Sequence, residues 1–179
     1  MQERILEDHM KQGVAIVDPE TTFIDWAVAI GADTKIYPFT VIERNVKIGK
    51  YCSIGPFCHL RDNTVIQDHA RIGNFAEVVR TKIGRHSLAK HFCYLGDAQV
   101  GSNVNIGAGV VTANFDGRKK NPTVIKDHAF LGSDTVLVAP VKIGKRAVTG
   151  AGSVVTRNKD VSDYAVVAGV PAKIIKRRG

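Results

Sequence analysis

The sequence has no long hydrophobic run. Apolar residues make up 44% of its 179 residues, but no apolar stretch approaches the length of about 18 residues that crosses a membrane. No segment has the charged start, short apolar centre and small-residue cleavage site of a secretory signal. We therefore expect no membrane partner, and the length fits a single domain.

Cysteine is also scarce, with three residues. Cys52 and Cys58 stand six residues apart, where cysteine serves as a small apolar filler of the repeat described below. Cys93 has no evident partner. This usage predicts reduced thiols and a cytoplasmic protein.

Acidic residues are fewer than basic ones, 17 against 25, which gives a formal net charge of +8. The basic residues gather in the segments 118–120 and 173–178, and no aromatic-rich RNA-reading motif lies beside them. The charge therefore predicts a small ligand that carries phosphate, and no nucleic-acid partner.

A six-residue repeat organises most of the chain. The period fits neither an amphipathic helix nor a heptad, and it matches short strands joined at regular corners. Aliphatic residues stand six apart at Ile24, Ile30, Ile36, Ile42, Ile48, Ile54, Leu60, Ile66, Ile72 and Val78. Small or β-branched residues follow four positions later at Val28, Thr34, Thr40, Val46, Cys52, Cys58, Thr64, Ala70 and Ala76. We expect both columns to point inward, in an all-β protein built as a left-handed parallel β-helix.

The repeat also predicts the extent of the parts. The register reaches Val167, which gives about eight turns and a prism roughly 38 Å long at about 4.8 Å per turn. We expect an N-terminal arm or short helix over residues 1–17, the β-helix over 18–171, and a basic, helical tail over 172–179. Glycines that follow the aliphatic residues are expected to supply positive φ at the turns; they are Gly31, Gly49, Gly55, Gly73, Gly84, Gly96, Gly101, Gly107, Gly132 and Gly144.

Three interruptions of the repeat bracket residues 80–120. Steps of five residues follow Val78 and Leu95, and thirteen residues separate Thr112 from Ile125. The surface of a regular β-helix offers few clustered functional groups. A catalytic or binding site is therefore expected where the chain departs from the repeat.

The interrupted segment carries motifs of a known family. They resemble the acetyltransferase domain of the bifunctional N-acetylglucosamine-1-phosphate uridyltransferase / glucosamine-1-phosphate N-acetyltransferase, and nothing in the chain resembles the uridyltransferase domain. The matching segments are GPF at 55–57, GNFAE at 73–77, HFCYLGD at 91–97, NVNIGAG at 103–109, NFDG at 114–117 and LGSDT at 131–135.

The resemblance implies an acetyl-CoA-dependent N-acetyltransferase that acts on an amino-sugar phosphate, with glucosamine 1-phosphate as the first choice. It also implies a place in UDP-N-acetylglucosamine and cell-wall synthesis. Members of the family are trimers, so a homotrimer with active sites between subunits is expected.

The resemblance makes His91 the general base. An ammonium has no lone pair, so the amino sugar must lose a proton to attack the thioester, and imidazole, with a reference pKa of about 6.5, accepts protons at neutral pH. The register supports this choice. His69, His86 and His128 fall three residues after a register aliphatic, at a corner, whereas His91 falls two residues after Ala89.

The remaining site residues also follow from the resemblance. Arg61, Tyr94, Asn105 and Lys120 match positions that hold the sugar phosphate and its ring hydroxyls, and an arginine fork suits phosphate. Positions that bind acetyl-CoA correspond to Ala108, Asn114, Phe115, Ser133 and Ala151.

The register adds a geometric expectation to these roles. Ala108 falls at the position of His91 on the next turn, and the resemblance implies that its N–H lies beside the acetyl thioester, where it could stabilise the developing oxyanion. Ser133 and Ala151 are eighteen residues apart and should stack as well. We expect direct transfer, because no Cys or Ser is placed as an acyl carrier. The acetyl transfer is also expected to require no metal.

Two departures from the family leave the acceptor open. Val79 replaces a lysine that clamps the same phosphate as Arg61, and Arg80 beside it is expected to face the other side of its strand. Phe115 replaces a tyrosine. Galactosamine 1-phosphate or a UDP-linked amino sugar is therefore an alternative acceptor.

The histidines also offer an alternative of another class. His69, His86 and His91 have a spacing similar to the zinc ligands of γ-class carbonic anhydrases, which share this type of fold. A non-catalytic trimeric scaffold is the third alternative, although it leaves the motifs of residues 105–116 without a purpose.

Overall fold

The computed structural model describes residues 2–178. In chain order the first elements are α1 (Gln2–Lys11), β1 (Ala15–Ile16), β2 (Phe23–Ile24), β3 (Ala29–Ile30), β4 (Lys35–Ile36), β5 (Val41–Ile42), β6 (Lys47–Ile48), β7 (Ser53–Ile54), β8 (His59–Leu60), β9 (Val65–Ile66), β10 (Arg71–Ile72), β11 (Ala76–Val79) and β12 (Lys82–Ile83). They are followed by β13 (Leu88–Ala89), β14 (Cys93–Gly96), β15 (Ala98–Val100), β16 (Asn105–Ile106), β17 (Val111–Ala113), β18 (Thr123–Ile125), β19 (Phe130–Leu131), β20 (Val136–Val138), β21 (Val141–Ile143), β22 (Val148–Thr149), β23 (Val154–Val155), β24 (Ala165–Ala168) and β25 (Lys173–Arg177).

The chain visits three sheets in turn. Sheet 1 has the order β1-β4-β7-β10-β13-β16-β19-β22-β24-β25, sheet 2 the order β2-β5-β8-β11-β14-β17-β20-β23, and sheet 3 the order β21-β18-β15-β12-β9-β6-β3. Apart from β24 and β25, neighbouring strands of a sheet lie one turn apart and pair in parallel, as Lys35 does with Ser53, eighteen residues later. The predicted left-handed parallel β-helix of about eight turns is confirmed.

The two predicted inward columns form the core. All ten aliphatic residues from Ile24 to Val78 are at most 7% exposed, and the small residues between them are buried as well. Most two-residue strands bury one side chain and turn its neighbour outward. With the small residue four positions later, a regular hexad contributes two side chains to the interior. Because one turn cannot enclose this core alone, its stability depends on stacked neighbours.

The corners repeat one backbone conformation. We name them by the sheets that they join: edge 1–2, edge 2–3 and edge 3–1. At most corners the third residue after the core aliphatic has positive φ, as at Tyr51 (57°), His69 (62°) and His86 (59°) on edge 3–1. Side chains at this position stack: the rings of Tyr51 and His69 lie 5.0 Å apart and those of His69 and His86 4.6 Å apart.

The expected role of the glycines is wrong. Of the ten glycines that follow the aliphatics, positive φ occurs at Gly55 alone. The others are needed because neighbouring turns approach closely: a Cβ on Gly132 would lie 2.6 Å from the Thr149 carbonyl oxygen and 2.7 Å from the Ala151 nitrogen.

The two ends differ from the sequence-based expectation. Helix α1 buries Leu6, and β1 already pairs with β4, so the first strand lies inside the segment expected to be an arm. The tail is not helical: β25 runs antiparallel to β24 and extends sheet 1. The free edge of β24 offers backbone partners that outweigh the weak helical preference of a short basic segment. No helix among residues 2–178 is long and apolar enough to cross a membrane.

The three interruptions of the repeat all fall on edge 2–3. The two shortened steps follow β11 and β14, and the thirteen-residue step follows β17 as a loop closed by a bridge between Phe115 and Lys120. One edge of the prism therefore carries every departure from the hexad between Val78 and Ile125.

Candidate active site

Edge 1–2 carries the column that begins at His91. Strand register pairs Ala89 with Ile106, Ile106 with Leu131 and Leu131 with Thr149. The residues two positions later occupy equivalent places on four successive turns, and they are His91, Ala108, Ser133 and Ala151. Both predicted stacks, His91 with Ala108 and Ser133 with Ala151, are present, and together they form one column.

The column presents a row of backbone donors. On edge 3–1 the equivalent N–H is capped by an aspartate of the next turn, as where Ser102 N donates to Asp127 Oδ1 at 2.8 Å. On edge 1–2 the N–H groups of Ala108, Ser133 and Ala151 have no acceptor among residues 2–178. Successive turns place such donors about 4.8 Å apart.

A cavity of about 270 Å³ opens beside this row. His91 and Asn105 line it, with Ala108, Ser133 and the ring of Phe130. The further lining residues are Lys90, Ile106, Gly107 and Leu131. The cavity brings the expected base together with one residue expected to hold the sugar and two expected to hold acetyl-CoA; Ala151 lies one turn beyond on the same edge.

A second group of predicted site residues lies on edge 2–3. Arg80 donates to Asp97 through Nε at 2.7 Å and Nη2 at 2.9 Å, and Asn114 Nδ2 donates to the same carboxylate at 2.6 Å. Asn114 Nδ2 also lies 3.4 Å from the hydroxyl oxygen of Tyr94. The Arg80 guanidinium, above all, holds the pKa of Asp97 below its usual range, with smaller contributions from Asn114 and Lys120.

Arg61 belongs to the same region. Its Nη1 donates to Glu77 Oε1 at 2.8 Å, while its Nε is buried without an acceptor among the described residues. Val79, beside it on the next turn, is 1% exposed and does not belong to the apolar core. The buried Val79 side chain therefore places no second cation beside Arg61 at this position.

The loop after β17 is held by one carboxylate. Asp116 accepts the backbone N–H groups of Arg118 at 3.0 Å and Lys119 at 2.8 Å. Asn121 Nδ2 at 2.9 Å and Arg157 Nη2 at 2.8 Å donate to its other oxygen. These donors, the Lys119 N–H first, place the pKa of Asp116 well below its usual range. The loop is thus fixed with its basic residues outward.

The two groups lie at opposite margins of sheet 2. His91, Asn105, Ala108 and Ser133 meet at edge 1–2, whereas the others gather at edge 2–3: Arg61, Tyr94, Asn114 and Lys120. Phe115, in the loop, is 61% exposed. A single chain therefore presents two half-sites that face outward from different edges.

The three histidines of the zinc alternative do not meet within one chain. His69 and His86 stack on edge 3–1, and His91 lies on edge 1–2. Among residues 2–178 no group of three or more His, Cys, Asp or Glu side chains is arranged to hold a metal ion.

Sequence reasoning missed Arg80 and Asp97. Arg80 was expected to face the far side of its strand, but β11 ends at Val79 and Arg80 occupies the corner, with a φ of 46°. The signal was available: both five-residue steps shorten the same edge, which brings the corner residues of adjacent turns together.

The chain is similar in sequence to known proteins along nearly its whole length. The family described as bacterial transferase hexapeptide (six repeats) matches residues 27–62, 45–80 and 122–157. The bifunctional protein GlmU of Thermotoga maritima is 41% identical over 206 aligned residues, which cover 97% of this chain and 46% of that protein. The GlmU of Fervidobacterium nodosum is 46% identical over 207 aligned residues, which cover 97% and 45%. The chain spans about half the length of these curated relatives.

Solved structures share the architecture. The UDP-N-acetylglucosamine acyltransferase of Francisella novicida has a TM-score of 0.65 at 20% identity and covers 91% of this chain and 70% of that one. The corresponding Arabidopsis protein has a TM-score of 0.58 at 19% identity, with 92% and 73% covered. These two show the fold; the identities of 41% and 46% over nearly the whole chain show that it belongs to the family of the bifunctional protein GlmU.

Proposed function

We propose that the chain is an N-acetyltransferase that transfers the acetyl group of acetyl-CoA to the amino group of glucosamine 1-phosphate. The observation that carries the proposal is the cavity on edge 1–2, where an imidazole, an amide and a row of unpaired backbone donors surround one space. Membership in the GlmU family and the motifs that resemble the acetyltransferase domain support the same reaction.

The donor would bind along edge 1–2. The acyl-CoA arm is an extended chain with amide groups, and its carbonyl oxygens can accept from the N–H groups of Ser133 and Ala151. The thioester then lies near Ala108, whose N–H would stabilise the oxyanion that forms when the carbonyl is attacked. The small side chains on this edge leave the backbone accessible.

The chemical step needs one proton acceptor. The amine nitrogen attacks the thioester carbon, the C–N bond forms, and the C–S bond breaks as the tetrahedral intermediate collapses. His91 takes the proton released by the amine and passes it to the departing thiolate, so that free coenzyme A and the N-acetyl sugar result. Asn105, across the same cavity, would orient the sugar.

The acceptor phosphate would bind at edge 2–3. Arg61 offers a guanidinium, and Lys120 and the basic loop residues add positive charge. Because Glu77 already accepts from Arg61, phosphate must displace or share this carboxylate. With Val79 in place of a second cation, a UDP-linked amino sugar or galactosamine 1-phosphate remains the alternative acceptor.

We further infer that a complete active site combines edge 1–2 of one subunit with edge 2–3 of another, in a homotrimer. The support is the separation of the two half-sites by sheet 2. Each chain would then contribute to two different active sites.

Thiol release from acetyl-CoA tests the activity. Wild type is offered glucosamine 1-phosphate, galactosamine 1-phosphate and UDP-linked amino sugars. His91→Asn should lower kcat by about 100-fold or more, as expected for loss of a general base. His86→Gln, which alters a stacked corner residue on edge 3–1, is the matched control and should keep wild-type activity. An inactive wild type with every acceptor, or an active His91→Asn, contradicts the proposal.

Mixing two inactive variants tests the shared site. His91→Asn and Arg61→Gln change opposite half-sites, so co-refolded mixed trimers would contain some intact sites and recover part of the activity. Each variant refolded alone gives the baseline. Recovery no greater than the sum of the two baselines would show that both half-sites act within one chain.

A further inference from the structure

A second cavity lies on the outer face of sheet 1, toward edge 3–1. Its volume is about 310 Å³, and it is lined by His128, Phe130, Arg146, Val148, Tyr164 and Arg178. Apart from Phe130, none of these residues lines the cavity proposed for acetyl transfer. We name this cavity the upper pocket.

The backbone fixes the cationic side of the upper pocket. His128, Arg146 and Tyr164 occupy the same positive-φ corner position on three successive turns, with φ of 59°, 55° and 62°. Their side chains therefore project from the edge as one column. Arg178 is brought to this column from the tail, because β25 pairs with β24 and Arg178 N donates to Tyr164 O at 2.9 Å.

The positive charge of the pocket is uncompensated. Arg146, Arg178 and His128 form no ion pair with any residue in the described part of the chain. Other basic residues on the same edge do have carboxylate partners, as in the Arg85–Asp68 pair of 3.0 Å. Two guanidinium groups without partners on one cavity are suited to phosphate oxygens.

The floor of the pocket is apolar and partly aromatic. Phe130 is 49% exposed and Tyr164 37% exposed, which leaves ring surface open to a ligand. Aromatic rings bind nucleic-acid bases by stacking, with about 1–3 kcal/mol per base. Inorganic phosphate would use only the cations and an apolar ligand only the rings, whereas a nucleotide uses both.

The upper pocket adjoins the cavity proposed for acetyl transfer. Phe130 lines both, and the register of sheet 1 places it between Asn105 on the preceding turn and Val148 on the next. We infer that the upper pocket binds the base and phosphates of a nucleotide. The inference rests on the proposed function only for the source of that nucleotide. The source is either the adenosine bisphosphate end of the acyl donor or the uridine diphosphate of a nucleotide-linked acceptor.

Direct binding tests the inference without turnover. Adenosine 3′,5′-bisphosphate, UDP and inorganic phosphate are each titrated calorimetrically into wild type, Arg146→Gln, Arg178→Gln and Arg44→Gln, at about 0.15 M salt to screen distant charges. Arg44→Gln removes an exposed charge on edge 2–3 and is the matched control. We expect one nucleotide to bind, and Arg146→Gln and Arg178→Gln each to weaken it about tenfold or more, as the loss of a charged hydrogen bond requires.

The outcomes separate the two proposals. Binding of the bisphosphate assigns the pocket to the donor, and binding of UDP assigns it to the acceptor. The inference is overturned if neither nucleotide binds, if phosphate alone binds as tightly, or if the arginine variants bind like the control. A wild type that binds the nucleotide through these arginines but releases no thiol with any acceptor would contradict the proposed function and leave the pocket assigned.

Discussion

Arg80 and Asp97 form a bidentate ion pair across adjacent turns, with nitrogen–oxygen distances of 2.7 and 2.9 Å. Each lies in the corner that follows a strand of sheet 2, and each corner is one residue shorter than the hexad requires. Asp97 also accepts from Asn114 at the base of the loop. The shortened corners and the loop are therefore one connected structure, tied at a single carboxylate.

Asp97→Asn should destabilise the protein. The side chains of Arg80 and Asp97 are 29% and 19% exposed, so solvent screens the pair only in part. Replacing the carboxylate leaves the guanidinium without its counter-ion, and we expect a loss of roughly 1–2 kcal/mol at pH 7. Urea unfolding measures it. Arg44→Gln should unfold like wild type, and an Asp97→Asn midpoint within error of wild type would show that the pair contributes nothing.

The stability difference between wild type and Asp97→Asn should depend on pH. The folded-state pKa of Asp97 lies below its usual value, so its contribution is complete above the unfolded-state pKa of about 3.9 and is lost as the pH falls through the folded-state pKa. The stability difference between wild type and Asp97→Asn should therefore be constant near neutrality and shrink in acid. A difference that grew below pH 4 would contradict this assignment.

Gly132→Ala and Gly117→Ala should lower the stability of the fold by different amounts. Gly132→Ala places a Cβ within 2.6 Å of backbone on the next turn, so two turns must separate. Gly117→Ala meets no atom within 4 Å and adds only the strain of a φ of 89°. We expect a loss of about 3 kcal/mol or more for Gly132→Ala and about 1 kcal/mol for Gly117→Ala. Equal losses in thermal unfolding would show that close approach is not what requires Gly132.

Asp116→Ala should loosen the loop while leaving the β-helix intact. The substitution removes the acceptor of two backbone N–H groups and two side-chain donors, so Arg118 and Lys119 become accessible to trypsin. Limited proteolysis followed by mass spectrometry should find faster cleavage at residues 118–120. Arg157→Gln removes only one donor and should have the smaller effect, and the reverse order would contradict the view that the backbone bonds hold the loop.

The thiols should be unreactive in the folded protein. All three cysteines are buried, and burial raises the pKa of Cys93 to about 12 and that of Cys58 further still. Since the thiolate is the reactive form, a disulfide reagent at pH 8 should titrate few thiols natively and three after denaturation. Rapid native labelling of Cys58 or Cys93 would show that this core opens.

The fold could be predicted because burial follows a fixed period. Ile54 and Leu60 belong to the aliphatic column that the six-residue spacing defines, and both are fully buried. The role of the glycines could not be read in the same way, since positive φ and close approach both favour glycine. The strand β25 was missed because its pairing is decided by the free edge of β24, which lies outside the local sequence.

The candidate site was predictable to the extent that it follows the register. Counting hexads was sufficient to place Ala108 over His91, and the structure has that stacking. The pairing of Arg80 with Asp97 depends on side-chain direction at a shortened corner, which no periodicity specifies. The binding and catalytic roles of the residues remain predictions that the experiments above address.

If edge 1–2 binds an acyl donor as proposed, its N–H groups that have no acceptor among residues 2–178 determine which donors fit. The groups of Ala108, Ser133 and Ala151 belong to the backbone, so replacing these side chains by others of similar size leaves the donors in place. Their separation is set by the rise of the β-helix, about 4.8 Å per turn. Edge 1–2 would therefore discriminate among donors by the distance between their carbonyl oxygens, and a donor whose amide spacing is one methylene longer or shorter would lose one of its hydrogen bonds.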